Sequence, residues 1–192
     1  MALKCIVKVG GISNLSDARY CAGMGVDMLG FSVKPGTEQY VSPERLAEII
    51  SWVAGPQVVL ELEDQSISDT SAYSNYNLIE LNLAEASQFT LEPQQKLIIR
   101  IEKITEEQIA QIRVLKDHLA YLIIHEDLIS HAKTLNEIAA LLLAVTSDKS
   151  TVLQYLDTYP LAGIELKGGI EEKTGFKDYE ALADLLETLE VE

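Results

Sequence analysis

Cysteine is scarce in this chain of 192 residues: Cys5 and Cys21 each stand in an apolar stretch, with no C-x-x-C and no cysteine–histidine spacing. That excludes a disulfide framework and a zinc site, so no metal is expected and the expected compartment is the cytoplasm. Long hydrophobic runs are missing too. The longest, near Ile138 to Val145, falls far short of a bilayer span, and no charged-then-apolar leader opens the sequence, so no membrane association is expected. Positive charge is the third shortage: 15 basic residues face 30 acidic ones, for a net charge of -15. Such a surface gains nothing from counterion release, which excludes nucleic acid and anionic membrane as partners. A small anionic ligand remains permitted, because backbone N–H groups and helix N-termini make a site locally positive.

What is present is apolar material, 47% of the residues, enough to bury a full core and to predict one domain over residues 1–192. No repeat, low-complexity tract or linker interrupts it, and the polar stretch SISDTSAYSNYN (66–77) is expected to be a loop with a short helix. Short β-type runs alternate with amphipathic helical stretches from end to end, the pattern of a parallel sheet with crossover helices. The runs are KCIVKV (4–9), DMLGFSV (27–33), QVVLELE (57–63), NLIELNL (77–83), KLIIRIE (96–102), AYLIIHE (120–126), ALLLAVT (140–146) and AGIELKG (162–168). The seventh is ambiguous, since Leu135 to Val145 also reads as one continuous helix.

Helix starts are marked by Ser42 with Pro43 at the first helical position, and by Thr105 with Gln108 three residues on, a capping box. Ala84 to Pro93 holds a brief helix, and Lys177 to Leu189 a last one with Tyr179, Leu182, Leu185, Leu186 and Leu189 as its apolar stripe. Eight such units predict an α/β fold, a (β/α)8 TIM barrel in a short version.

In a barrel the helix-facing strand residues are apolar, so the polar parity points inward. It comprises Lys8 and Gly10, Glu61 and Glu63, Glu80 and Asn82, Arg100 and Glu102, and Glu165 and Lys167, all towards the carboxyl ends of their strands, where barrel sites lie. Two interpretations follow. The residues form either an active-site mouth with Lys8, Arg100 and Lys167 as counter-charges, or a structural ion-pair layer, and the second is preferred because buried charges must pair. Lys8 and Glu165 become neighbours when the barrel closes.

Several motifs now stand together. KVGGI (8–12) with Asp17-Ala18, GVDMLGF (25–31), YVSPE (40–44) and GIELKGGIEEKTGFKD (163–178) resemble the conserved segments of the phosphoribosylanthranilate isomerase family of tryptophan biosynthesis. The resemblance implies a cytoplasmic barrel without cofactor, monomeric or homodimeric, acting on a phosphorylated aminoaldose. It also implies a cysteine general base where this chain has Gly10, an aspartate general acid near His125 or Glu126, and a substrate-binding arginine where this chain has Gln39. The family's Q-L-H-G is matched by Glu80 to Leu83, and its A-G-G phosphate segment by Ala144-Val145-Thr146. An anion is then left with Lys167, Gly168 and Gly169, joined by Thr146 and Ser147, two residues that also suit plain helix capping.

Base, substrate arginine and acid all differ, and each such loss typically costs about 10²- to 10⁴-fold. The preferred expectation is therefore a family barrel with a degenerate site that binds a small phosphorylated ligand without efficient isomerisation. One alternative is a weak isomerase using His125 or Glu126 with Glu61 or Glu80 as base. The other is a structural or interaction barrel.

Overall fold

The computed structural model describes residues 2–62, 73–168 and 180–191. Each of the eight expected runs supplies a strand: β1 (Ile6–Gly10), β2 (Met28–Ser32), β3 (Gln57–Glu61), β4 (Leu78–Asn82), β5 (Lys96–Ile101), β6 (Leu119–His125), β7 (Ala140–Ala144) and β8 (Gly163–Lys167). All pair in parallel and in chain order, and β1 pairs with β8 to close the barrel. The helices are α1 (Leu15–Gly23), α2 (Pro43–Ile50), α3 (Leu83–Ala86), α4 (Glu106–Val114), α5 (Ala132–Asn136), α6 (Lys149–Thr158) and α7 (Glu180–Thr188).

The ambiguous segment near Leu135 resolves into helix, turn and strand. Helix α5 ends at Asn136, and Ala140–Ala144 then joins the sheet between β6 and β8. Both faces of this strand are buried, Leu141 and Leu143 under the helices and Leu142 and Ala144 inside the barrel, so it reads as an unbroken apolar run and its period was silent. Ser42 caps α2 with Pro43 inside its first turn, as expected. At α4 only half of the expected capping box forms. The Thr105 hydroxyl accepts the Gln108 N–H at 3.2 Å, while Gln108 Oε1 is buried without a hydrogen-bond partner. The complete box occurs instead at α3, between Asn82 and Glu85. Glu63, Gly169, Tyr179 and residues 66–72 of the polar stretch lie outside the described residues.

Strand parity sorts the side chains into two cores. Outward residues such as Val7, Val9, Phe31, Leu60, Ile99 and Leu143 pack beneath the helices, joined by Leu185 and Leu186 of α7 and by Leu189 just after it. Inward, Met28, Val59, Leu78, Ile98, Ile123 and Leu142 fill the barrel towards the strand N-terminal ends. The next inward positions are polar on six strands, with Lys8, Glu61, Glu80, Arg100, His125 and Glu165, while β2 and β7 carry Gly30 and Ala144 there. A dry floor thus lies under a charged layer.

Closure between β1 and β8 requires glycine at 163, where a Cβ would overlap the Ile6 carbonyl oxygen. Gly163→Ala is expected to cost about 1–3 kcal/mol through backbone displacement. Urea unfolding checks this, and an unchanged midpoint would contradict the close approach.

Candidate functional site

Lys8 is the hub of the charged layer and is wholly inaccessible to solvent. Its Nζ lies 2.6 Å from Glu61 Oε1, 2.7 Å from Glu80 Oε2 and 2.6 Å from Glu165 Oε1, and it donates hydrogen bonds to the first and the last of these. Arg100 forms the second bracket. Its Nη2 lies 2.6 Å from Glu80 Oε1, to which Nε also donates at 3.1 Å, and the same Nη2 reaches Glu165 Oε1 and Oε2 at 2.6 and 2.8 Å. The strand register explains the convergence. Lys8 stands opposite Glu165, Glu61 opposite Glu80, and Asn82 opposite Arg100.

Burial opposes the charge on Lys8, but Glu61, Glu80 and Glu165 outweigh it and hold the ammonium above its ordinary range. Burial likewise opposes Arg100, and Glu80 with Glu165 overcomes it. Glu165 is desolvated, yet Lys8 and Arg100 pull its carboxyl down to about 2. Glu80 moves the other way: burial raises it, Glu165 and Glu61 add to the rise, and Lys8 and Arg100 only moderate it. Charge balance agrees with that split. Three carboxylates share two cations here, and the carboxylate least favoured by geometry is Glu80, whose Oε2 meets the ammonium without a directed hydrogen bond.

One oxygen each of Glu61, Glu80 and Glu165 lie within 4.8 Å of one another, a spacing that suits a metal ion. The Lys8 ammonium already stands among them and supplies the positive charge they need. The arrangement is a lysine cradle.

Above the cradle opens a cleft of about 710 Å³, lined by Gly10, Gln39, Asn82, Arg100, His125, Lys167 and Gly168 among others. Lys8 lies beneath it. The loop after β2 contributes Lys34, Thr37 and Glu38, which the sequence did not single out, since no motif marks a loop that folds over a mouth. Gln39 sits over the left-handed Gly11 (φ 68), where a Cβ would come within 2.7 Å of its Oε1. Asn82 spends its side-chain oxygen on the α3 cap, accepting the Glu85 N–H at 3.0 Å.

Glu61 reaches across two missing side chains. A Cβ at Gly10 would lie 2.6 Å from Glu61 Oε1, and a Cβ at Gly30 would overlap the same atom. The other oxygen, Oε2, accepts the Gly11 N–H at 3.1 Å. A carboxylate from β3 therefore fills the space that Gly10 leaves empty on β1.

Beyond the carboxyl end of β7 two of the expected anion residues, Thr146 and Ser147, are engaged internally and do not line the cleft. Thr146 N–H and Ser147 N–H donate to Glu126 Oε1 at 2.8 and 2.9 Å, and the Ser147 hydroxyl donates to Glu126 Oε2. Burial works against the Glu126 charge, but the Ser147 hydroxyl and the Thr146 and Ser147 amides outweigh it and hold the carboxyl below its usual range. The Gly168 N–H donates to the Gly10 carbonyl at 2.7 Å. His125 faces the cleft while Glu126 is tied to the β7–α6 loop.

Two outcomes test the cradle. Lys8→Met strands three buried carboxylates and is expected to cost about 3–5 kcal/mol in urea unfolding. Glu165, ordinarily near 4.5 and here about 2, contributes stability that is complete above 4.5 and is lost as pH falls towards 2. The stability gap between the wild type and Glu165→Gln is therefore expected to narrow across that window in thermal melts at stepped pH. A gap constant with pH would remove the ion pairs from the account.

No family model matches the chain. Individual proteins do. The N-(5'-phosphoribosyl)anthranilate isomerase of Thermotoga neapolitana is 31% identical over 107 residues, covering 53% of this chain and about half, 52%, of that enzyme. The Aquifex aeolicus enzyme of the same name is 26% identical over 198 residues, covering 94% of this chain and 96% of its own. Among solved structures, phosphoribosyl anthranilate isomerase from Thermotoga maritima superposes with a TM-score of 0.73 at 17% identity, covering 96% of this chain and 98% of that one. A phosphoribosyl anthranilate isomerase in complex with reduced 1-(o-carboxyphenylamino)-1-deoxyribulose 5-phosphate gives 0.72 at 18% identity, covering 95% and 97%. The closed eight-stranded barrel is the fold of these phosphoribosylanthranilate isomerases, and the matches along its length make the chain similar to them in sequence.

Proposed function

We propose that this chain keeps the family barrel as a binding site for a small phosphorylated molecule, without efficient isomerisation of phosphoribosylanthranilate. One observation carries the loss of efficiency: Glu61 Oε1 stands 2.6 Å from where a side chain on Gly10 would begin. The resemblance puts the proton-abstracting cysteine at that position. The replacement carboxylate is clamped, one oxygen on Lys8 and the other on the Gly11 N–H. A base must come within hydrogen-bond reach of the proton it removes, and an oxygen already facing a buried ammonium is a weak acceptor for it. The substrate-binding arginine is likewise replaced by neutral Gln39, which cannot make a charge-assisted contact with a carboxylate.

The binding half of the proposal rests on the rim. Lys34 and Lys167 border the cleft, and Arg100 keeps part of its guanidinium towards it, its side chain 22% exposed. These are the cations that a phosphate monoester on an otherwise acidic molecule would meet.

A second interpretation is favoured by the same atom. Glu61 stands where the base belongs, so it serves as the base of a slower isomerase, with His125 at the cleft as proton donor. Steady-state kinetics with phosphoribosylanthranilate separates the two. Turnover at least about 10²-fold below an intact relative is expected, together with failure to rescue a tryptophan auxotroph lacking the isomerase. Near-normal turnover that Glu61→Gln abolishes would favour the second interpretation. Gly10→Cys alone is expected to restore nothing, because its Cβ meets Glu61 Oε1. Pairing it with Glu61→Ala removes that obstacle, and restored turnover in the double variant alone would show that Glu61 blocks the position.

A further inference from the structure

The Glu126 contact has the form of a bound ligand. β7 ends at Ala144, and the Val145 N–H still donates to the Glu165 carbonyl at 3.0 Å. Thr146 is thus the first amide beyond the ladder, with no sheet acceptor of its own. It turns with Ser147 so that two successive N–H groups and one hydroxyl converge on a single carboxylate. Consecutive amides that point at one oxygen make a concave anion receptor, indifferent to whether a carboxylate or a phosphate fills it. The receptor is separate from the N-terminus of α6, which Asp148 closes by accepting the Ser150 and Thr151 N–H groups at 2.9 and 3.2 Å.

The receptor is also reachable. Thr146 is exposed, and Glu126 opens a short 3-10 turn (Glu126–His131) whose preceding residue, His125, makes no side-chain cap bond. Ala144 pairs with Glu165, so Thr146 and Lys167 each stand two residues beyond that pair on adjoining strands. Lys167 lines the cleft and has no ion-pair partner among the described residues. A cation therefore waits beside an anion receptor that the chain itself has filled.

We propose that Glu126 is an internal stand-in for an oxyanion: its carboxylate occupies the Thr146–Ser147 receptor, and a phosphate group reaches that receptor only by displacing it. The proposal deepens the binding function above and rests on it for the source of the phosphate. Displacement breaks three hydrogen bonds to Glu126 and remakes them to phosphate, with Lys167 as the added charge. Affinity for phosphate is thereby held down in the resting protein and rises when Glu126 is removed.

Inorganic phosphate is the probe, titrated at constant ionic strength and followed through the backbone amide resonances of Thr146 and Ser147. Glu126→Ala is expected to bind phosphate at least about tenfold more tightly than the wild type, the scale of one charge-assisted hydrogen bond, with both resonances moving. Glu126→Gln, which keeps the size and loses the charge, is expected to fall between them and covers the case in which the alanine variant does not fold. Ser147→Ala added to Glu126→Ala is expected to remove the gain. Equal affinity in wild type and both Glu126 variants, or a gain that leaves the Thr146 and Ser147 amides unmoved, overturns the displacement. Phosphate shifts at Gly11 and Lys167 that are the same in every variant would overturn it while leaving the binding function standing. Absence of any phosphate or sugar phosphate response in all of them would overturn both.

Discussion

The Lys8 ammonium is the constraint on which the upper half of the barrel depends. One buried cation gathers carboxylates from β3, β4 and β8, and Arg100 on β5 closes the far side of two of them. Desolvating five charges is costly, and their attraction offsets that cost only when every donor has an acceptor. The geometry meets that condition except at Glu80 Oε2, where the carboxyl with the raised proton affinity is found. The layer therefore specifies which strands meet, because a shift of register would leave a charge without its partner. The floor of Met28, Val59, Ile98 and Leu142 below it supplies burial but little such selectivity.

The same economy of carboxylates shapes the mouth. Glu61 belongs to the cradle through one oxygen and to the Gly11 amide through the other, and in doing so covers Gly10 and Gly30. Glu126 does the equivalent after β7, satisfying two amides that leave the sheet at Thr146. In both places a side chain of the protein stands where a family enzyme is expected to present a reacting group or receive a ligand. An acidic chain with few cations is suited to this, since its carboxylates must find donors and backbone N–H groups leaving the strand ends need acceptors.

Much of this was legible beforehand. The eight strands, their parity and the pairing of Lys8 with Glu165 follow from period-two alternation and from the rule that a closed parallel barrel places its first and last strands side by side. The motifs at the two ends carried the resemblance to phosphoribosylanthranilate isomerases, and the Gly10 and Gln39 departures were visible by position. Less legible was the destination of each hydrogen bond. Thr105 and Gln108 have the spacing of a capping box but form half of one, while Asn82 and Glu85, with the same spacing, form a whole one. His125 and Glu126 were equivalent as neighbours at a strand end, yet one faces the cleft and the other leaves it for the β7–α6 loop.

What the sequence by itself determined is therefore the barrel and the inventory of its charged interior, because both follow from local periodicity and from the cost of burying an unpaired charge. What only the tertiary structure decided is which donors those charges take. Glu61 reaches Gly10 from 51 residues away along the chain, and Glu126 reaches Thr146 from 20. Closure of the barrel sets those distances, and no spacing in the sequence encodes them.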